Sequence, residues 1–199
     1  MSSYHALNSI HLADIARLQL PAVRSHTLTL ASPAMDVVTD FTQIRPQTLP
    51  ETASIDDALN IMKQSGVRLL LVLNTQGEFS GVVSALDLGS NKVTQIVHHQ
   101  GVTRQEITVK QVMAPKHDLH GLGHARLQQA SVGDVVETLK ESGDQHTLVV
   151  DRNPEGELVI RGIISAADVS RALGFDLPIA PEARSFASIC TLILNKQAI

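Results

Sequence analysis

Two segments of the chain set an aspartate three residues after a serine at the end of an apolar run. They are Gly81-Val82-Val83-Ser84-Ala85-Leu86-Asp87 and Gly162-Ile163-Ile164-Ser165-Ala166-Ala167-Asp168. A carboxylate at a helix start can accept hydrogen bonds from a pair of adjacent hydroxyls while the first-turn amides face an anion. The serine can add a hydroxyl or a backbone amide to the same group. The identical spacing is also that of a capping box, in which the two side chains satisfy each other's backbone amides. Ligand contact and helix capping are therefore both open at each segment.

The elements that must position these residues are themselves repeated. Ser54-Ile55-Asp56-Asp57-Ala58-Leu59 through Lys63-Gln64-Ser65-Gly66 lies over Ser131-Val132-Gly133-Asp134-Val135-Val136 through Lys140-Glu141-Ser142-Gly143 at a constant offset of 77 residues. By Gly81 and Gly162 the offset is 81. A repeat of this length means two like units. The four extra residues are placed around Asn153-Pro154-Glu155-Gly156 and Val159-Ile160, where a longer turn and strand leave the core untouched.

Apolar residues recur at helical spacing, Ile55, Ala58, Leu59 and Met62 in one unit and Val132, Val135, Val136 and Leu139 in the other. Ser54 with Asp57 and Ser131 with Asp134 read as capping boxes, and Gly66 and Gly143 as helix ends. Strands are predicted over 69–73 and 147–150, then over 79–83 and 158–164, with links short enough for antiparallel hairpins. A second helix follows in each unit, over 85–92 and over 166–173, the latter closed by Gly174. With lead-in strands at 46–49 and 118–122, each unit reads β-α-β-β-α. A short helix over 6–20 and a last helix over 182–194, with Phe186, Ile189 and Ile193 on its docking face, complete the prediction.

Composition narrows the function classes. The chain has 199 residues, 43% hydrophobic and 3% aromatic, no Trp and a formal charge of -4. It contains no basic block and few rings for stacking bases, so nucleic-acid binding is not expected. Cys190 is the single cysteine, which excludes an internal disulfide and a cysteine zinc cluster. Neither an export signal nor a membrane span is read, and a cytoplasmic location is expected. His120 and His124 stand four apart, but Gly121 and Gly123 disfavour a helix between them, so no metal site is expected. There is no P-loop, dinucleotide glycine motif or nucleophile elbow, and the chain reads as non-enzymatic.

The two Gly-h-h-Ser-x-x-Asp ends, the helix-hairpin-helix order before each, and Val112-Met113 ahead of the second unit resemble a tandem pair of CBS domains, the cystathionine β-synthase type repeat whose pairs form Bateman modules. The resemblance is to stand-alone bacterial members of that family. It implies an α+β fold, with two β-α-β-β-α repeats packed about a pseudo-twofold axis through their sheets. The expected division is an N-terminal extension over 1–39, a first repeat over 40–98, a linker over 99–111, a second repeat over 112–174 and a C-terminal extension over 175–199.

The resemblance also implies a site. An adenosine ligand, AMP, ADP, ATP or S-adenosylmethionine, would bind in the cleft between the repeats as a regulatory ligand and not as a cofactor. Asp87 and Asp168 would take the ribose, and Ser84 and Ser165 would support them. Pro46, Gln47 and Val67 would form the adenine slot, and Arg68 and His146 would reach the phosphates. A solvated arginine and a partly exposed histidine are the alternative readings of the last two. Arg171 and Lys92 read as surface cations near helix ends.

In the second unit Asp144 and Gln145 stand where Val67 and Arg68 stand in the first, and an acid there would repel phosphate. Its lead-in is rebuilt by the insertion from His117 to His124. The two slots are therefore expected to differ, with ligand at the Asp87 end first. The function expected is a regulatory module, a homodimer that acts through ligand-dependent packing or through an unidentified protein partner. The alternative is a ligand-free dimerisation or docking scaffold in which both aspartates are caps only.

Overall fold

The computed structural model describes residues 28–177, so the expected helices over 6–20 and 182–194, together with Cys190, lie outside the described residues. The first unit begins with β1 (Thr39–Asp40) and β2 (Thr48–Pro50), followed by α1 (Ile55–Ser65). A hairpin, β3 (Leu69–Leu73) and β4 (Phe79–Ser84), leads into α2 (Ala85–Leu88) and α3 (Asn91–Gln100). Next come α4 (Val109–Val112), β5 (Ala114–Pro115), β6 (Gly121–Gly123) and α5 (His124–Leu127). The second unit then runs α6 (Val132–Ser142), β7 (His146–Arg152), β8 (Leu158–Ser165) and α7 (Ala166–Leu173).

Two four-stranded sheets result, in the orders β2-β3-β4-β5 and β1-β8-β7-β6. In each, the lead-in strand runs parallel to the first hairpin strand and the hairpin is antiparallel. The mixed α+β architecture of two like units is the one expected. Helices cover the outer faces over two separate cores, one around Ile55, Met62, Leu70 and Val83, the other around Val132, Leu139, Val149 and Ile164. A third cluster, with Leu71, Val82 and Leu148 at its centre, joins the inner faces of the two sheets. Burying these apolar faces is the main driving force for the pairing of the units.

The helices start as their residues dictate. Ser131 Oγ accepts the Asp134 amide, and Asp134 Oδ2 accepts the Ser131 amide at 2.8 Å, which completes a capping box at α6. At α1 the Ser54 hydroxyl bonds the Asp57 amide at 3.0 Å and its carboxylate at 2.8 Å. In the first unit, however, the second helix stops at Leu88 and a new one begins at Asn91, running through the start of the segment expected to be a connector. The break has a local cause. The Ser90 hydroxyl donates to the Asp87 carbonyl at 2.8 Å and Arg104 donates to the Leu88 carbonyl at 3.1 Å, so the last carbonyls of α2 are satisfied without another helical turn.

The four extra residues of the second unit do not lengthen its turn. Asn74 and Asn153 each donate a backbone amide to the glutamate carbonyl four residues on, at 2.9 and 3.0 Å, so the two turns are alike. Instead β7 and β8 have 7 and 8 residues where β3 and β4 have 5 and 6. The insertion after His117 becomes β6 and the one-turn α5, ahead of α6.

The segments leading into the units are exchanged between them. β1 pairs with β8 of the second unit and β5 with β4 of the first. Behind them, Ala34 and Val37 are buried in the second core and Val109 and Val112 in the first. The repeated glycines make this possible. A Cβ on Gly81 would collide with the Ala114 carbonyl, and one on Gly162 would lie 2.6 Å from the Thr39 carbonyl. Both obstacles are backbone, which cannot rotate away. Gly162→Ala should therefore cost about 1–3 kcal/mol in denaturant unfolding. Gly89→Ala, whose Cβ would meet nothing closer than 3.7 Å, should stay within about 0.5 kcal/mol. Equal losses for the two variants would refute the close-approach account.

Candidate functional site

The packing of the two sheets leaves a cleft on either side of the inter-sheet cluster. The larger has a volume of about 320 Å³, at the lower end of the range of about 300–1,000 Å³ common for small-molecule pockets. One wall comes from the first unit, with Pro46 and Gln47 ahead of β2, then Val67 and Arg68 ahead of β3. The facing wall comes from the second unit, with His146 at the start of β7, Ser165 at the end of β8, and Asp168 and Arg171 on α7. Seven of the nine expected site residues thus share one cavity.

The slot residues are fixed by backbone. The Gln47 carbonyl accepts the Leu71 amide at 3.0 Å, and its side chain accepts the Ser65 hydroxyl at 3.3 Å. Phe41, Ile44, Leu71 and Ile163 add apolar surface. None of these four was expected from the sequence. Phe41 and Ile44 follow β1, so they enter the cleft only because that strand pairs with the opposite unit. Arg45 also lines the cavity, and Arg171, read from sequence as a surface cation, stands on its rim.

The two Ser-x-x-Asp ends, alike in sequence, differ in geometry. Ser84 and Asp87 form a complete capping box. The Asp87 carboxylate accepts the Ser84 amide at 2.8 Å and its hydroxyl at 2.6 Å, and the Ser84 hydroxyl accepts the Asp87 amide at 3.2 Å. Ser165 makes no side-chain cap bond, and Asp168 turns instead to Arg171, whose Nη1 lies 2.6 Å from Oδ1. Both members of that pair are exposed, so it contributes little to stability. The Asp168 carboxylate and the Ser165 hydroxyl are therefore available to the cleft in a way that Asp87 and Ser84 are not.

The second cleft is about 80 Å³, lined by Ser84, Leu86, Asp87, Leu119, Asp144 and Gln145 among others. Here the arrangement departs from the sequence expectation. Val67 and Arg68 do not share a cavity with Asp87; they face Asp168, while Asp87 faces Asp144. Each slot meets the Ser-x-x-Asp end of the other unit, because the sheets stack face to face about the pseudo-twofold axis.

His146 and Leu69 line both clefts. Burial pushes the His146 pKa below the ordinary histidine value. Asp168 opposes this shift, Arg68 adds to it, and Asp144 and Asp87 oppose it more weakly. The imidazole is accordingly neutral at pH 7, a donor at one nitrogen and an acceptor at the other. Acidification below the ordinary histidine range would place a cation there and destabilise the fold, since the charged form is favoured in the unfolded chain.

The fold is one shared with known proteins. The CBS domain family model matches residues 37–89. No curated protein matches the sequence. Among solved structures, a CBS-domain-containing protein from Agrobacterium tumefaciens is 19% identical, with a TM-score of 0.51 over 72% of this chain and 94% of that one. An uncharacterized conserved protein from Pyrococcus horikoshii is 20% identical, with a TM-score of 0.50 over 73% and 94%. A CBS-pair protein from Arabidopsis thaliana, solved in complex with AMP, is 23% identical over 71% and 95%, with a TM-score of 0.49. In the described residues no helix is long and apolar enough to cross a membrane. Residues 37–89 thus match the CBS domain, and the two units together take the fold of a CBS-domain pair.

Proposed function

We propose that the chain is a regulatory module that binds an adenosine ligand in the larger cleft and answers by changing its packing or its contact with a partner. The observation that carries this reading is the meeting, in one cavity of about 320 Å³, of an apolar slot from one unit with an uncapped Ser165 and Asp168 from the other. The slot around Pro46, Gln47 and Val67 suits a flat apolar base edged by backbone groups. Asp168 offers the carboxylate for two ribose hydroxyls, and Arg68 and His146 stand beside it for a phosphate. A ligand spanning both walls favours one relative placement of the units, which is the differential affinity that regulation requires.

The smaller cleft is assigned differently. Its aspartate is engaged in a cap and its volume is about 80 Å³, so in this end of the molecule Ser84 and Asp87 act as a structural cap. For that end we favour the reading of the aspartate as a cap only.

Thermal unfolding with AMP, ADP, ATP or S-adenosylmethionine should show a rise in Tm that Asp168→Ala abolishes. Asp87→Ala should lower the ligand-free stability by about 0.5–2 kcal/mol, as loss of a cap does, while keeping the ligand-induced rise. Retention of the rise in Asp168→Ala and its loss in Asp87→Ala would reverse the assignment. The cleft's electrostatics can be read separately by NMR titration of His146. Its midpoint should lie below about 6.5, fall further in Asp168→Asn and rise in Arg68→Gln. A midpoint unmoved by both changes would mean that these groups do not face one another.

A further inference from the structure

The described residues that line the two clefts differ in charge. Among its described lining residues the larger holds Arg45, Arg68 and Arg171 against a single acid, Asp168, whose charge is already matched by Arg171 at 2.6 Å. Neither Arg45 nor Arg68 forms an ion pair with another described residue. The smaller cleft holds Asp87 and Asp144 and no lysine or arginine among its described lining residues. In a chain of formal charge -4, a concave wall with two unmatched guanidinium groups is a local reversal of sign. Like charges gathered in a cleft repel one another, and a bound anion relieves that repulsion.

We infer that the larger cleft selects by charge, taking adenosine that carries phosphate and rejecting the net-cationic S-adenosylmethionine, with Arg45 and Arg68 setting the sign. This rests on the module reading above and narrows it to one ligand class. The neutral His146 adds no further cation at pH 7 but can donate a hydrogen bond to a phosphate oxygen. The arginines differ from Asp168 in what they do. The carboxylate recognises hydroxyls that every adenosine ligand carries, whereas the guanidinium groups act on what distinguishes one from another.

Isothermal titration calorimetry of the full chain with AMP, adenosine and S-adenosylmethionine tests this. AMP should bind at least about tenfold more tightly than adenosine, and S-adenosylmethionine more weakly than adenosine. In the double variant Arg45→Gln/Arg68→Gln the preference for AMP over adenosine should disappear, the two affinities becoming equal. On the unaltered chain, raising NaCl from about 0.05 to about 0.5 M should weaken AMP and leave adenosine unmoved. Adenosine binding as tightly as AMP, S-adenosylmethionine matching AMP, or a salt-independent AMP affinity would overturn charge selection while leaving the module reading standing. Absence of binding by all three would overturn both.

Discussion

The structure depends on the exchange of lead-in segments between its two units. Each unit's sheet is completed by a two-residue strand that belongs, in sequence, to the approach of the other. Backbone bonds anchor both exchanges in the same way. Val132 and Ala34 exchange amides with the carbonyls of Ser32 and Ala130 at 2.8 and 2.9 Å, and the Val109 amide meets the Ala53 carbonyl at 2.8 Å. An ion pair then fastens each segment. Arg161 grips both oxygens of Asp40 at 2.9 and 3.0 Å, which holds that carboxyl well below its usual range. On the other unit Lys110 reaches the nearly buried Glu51 at 2.7 Å, and Ser80 donates to its second oxygen at 3.1 Å. Neither unit completes its sheet without the segment that precedes the other.

The exchange also determines what the clefts contain. Because β1 lies on the second unit's sheet, the chain must cross back over the inter-sheet cluster to reach β2, and Phe41, Ile44 and Arg45 are laid into the cleft on the way. The corresponding crossing from β5 to β6 carries Leu119 into the other cleft. The two walls of a cleft therefore come from different copies of the repeat. Divergence between the copies is not confined to one site. The first copy supplies an apolar, basic slot to the second copy's aspartate, and the second supplies an acidic slot to the first copy's aspartate.

Most of the local structure was legible in the sequence. The apolar run Leu69 to Leu73 and the helix from Ala166 to Leu173 have the extents that their residues predicted, because an apolar run between polar stops and an amphipathic stretch closed by glycine leave little choice. The two-residue edge strands were not legible. Thr39–Asp40 and Ala114–Pro115 carry no periodicity and become strands only where a glycine lets them approach. The halt of α2 at Leu88 depends on Arg104, 16 residues away, and so was invisible locally. The placement of the extra residues could have been read, since Asn74-x-x-Gly77-Glu78 and Asn153-x-x-Gly156-Glu157 have the same spacing and exclude a longer turn. Seven of the nine residues named from sequence line the larger cleft, but Phe41, Ile44 and Arg45 beside them were not named, nor was the pairing of the walls. Which slot faces which aspartate is a property of how the sheets stack, and local sequence does not encode it.

The two Ser-x-x-Asp ends illustrate why one motif carries two readings. A cap and a ligand contact use the same oxygens and the same first-turn amides, so an aspartate fully engaged in the first has less to offer the second. At Ser84 and Asp87 the local geometry closes the box. At Ser165 and Asp168 it stays open, and the difference begins in the backbone, with ψ of 163° at Ser84 and 127° at Ser165. Four residues into α7, Val169 is fully buried, and Arg171 holds the aspartate from the helix's own surface. The second helix is eight residues long and anchored in its core, whereas α2 has four residues and is exposed at Leu86. In α2 all four residues belong to the first turn, so the Ser84–Asp87 box meets amides that no earlier turn can. A longer, buried helix can leave its first turn unpaired by side chains, and it is that helix whose start faces the larger cleft.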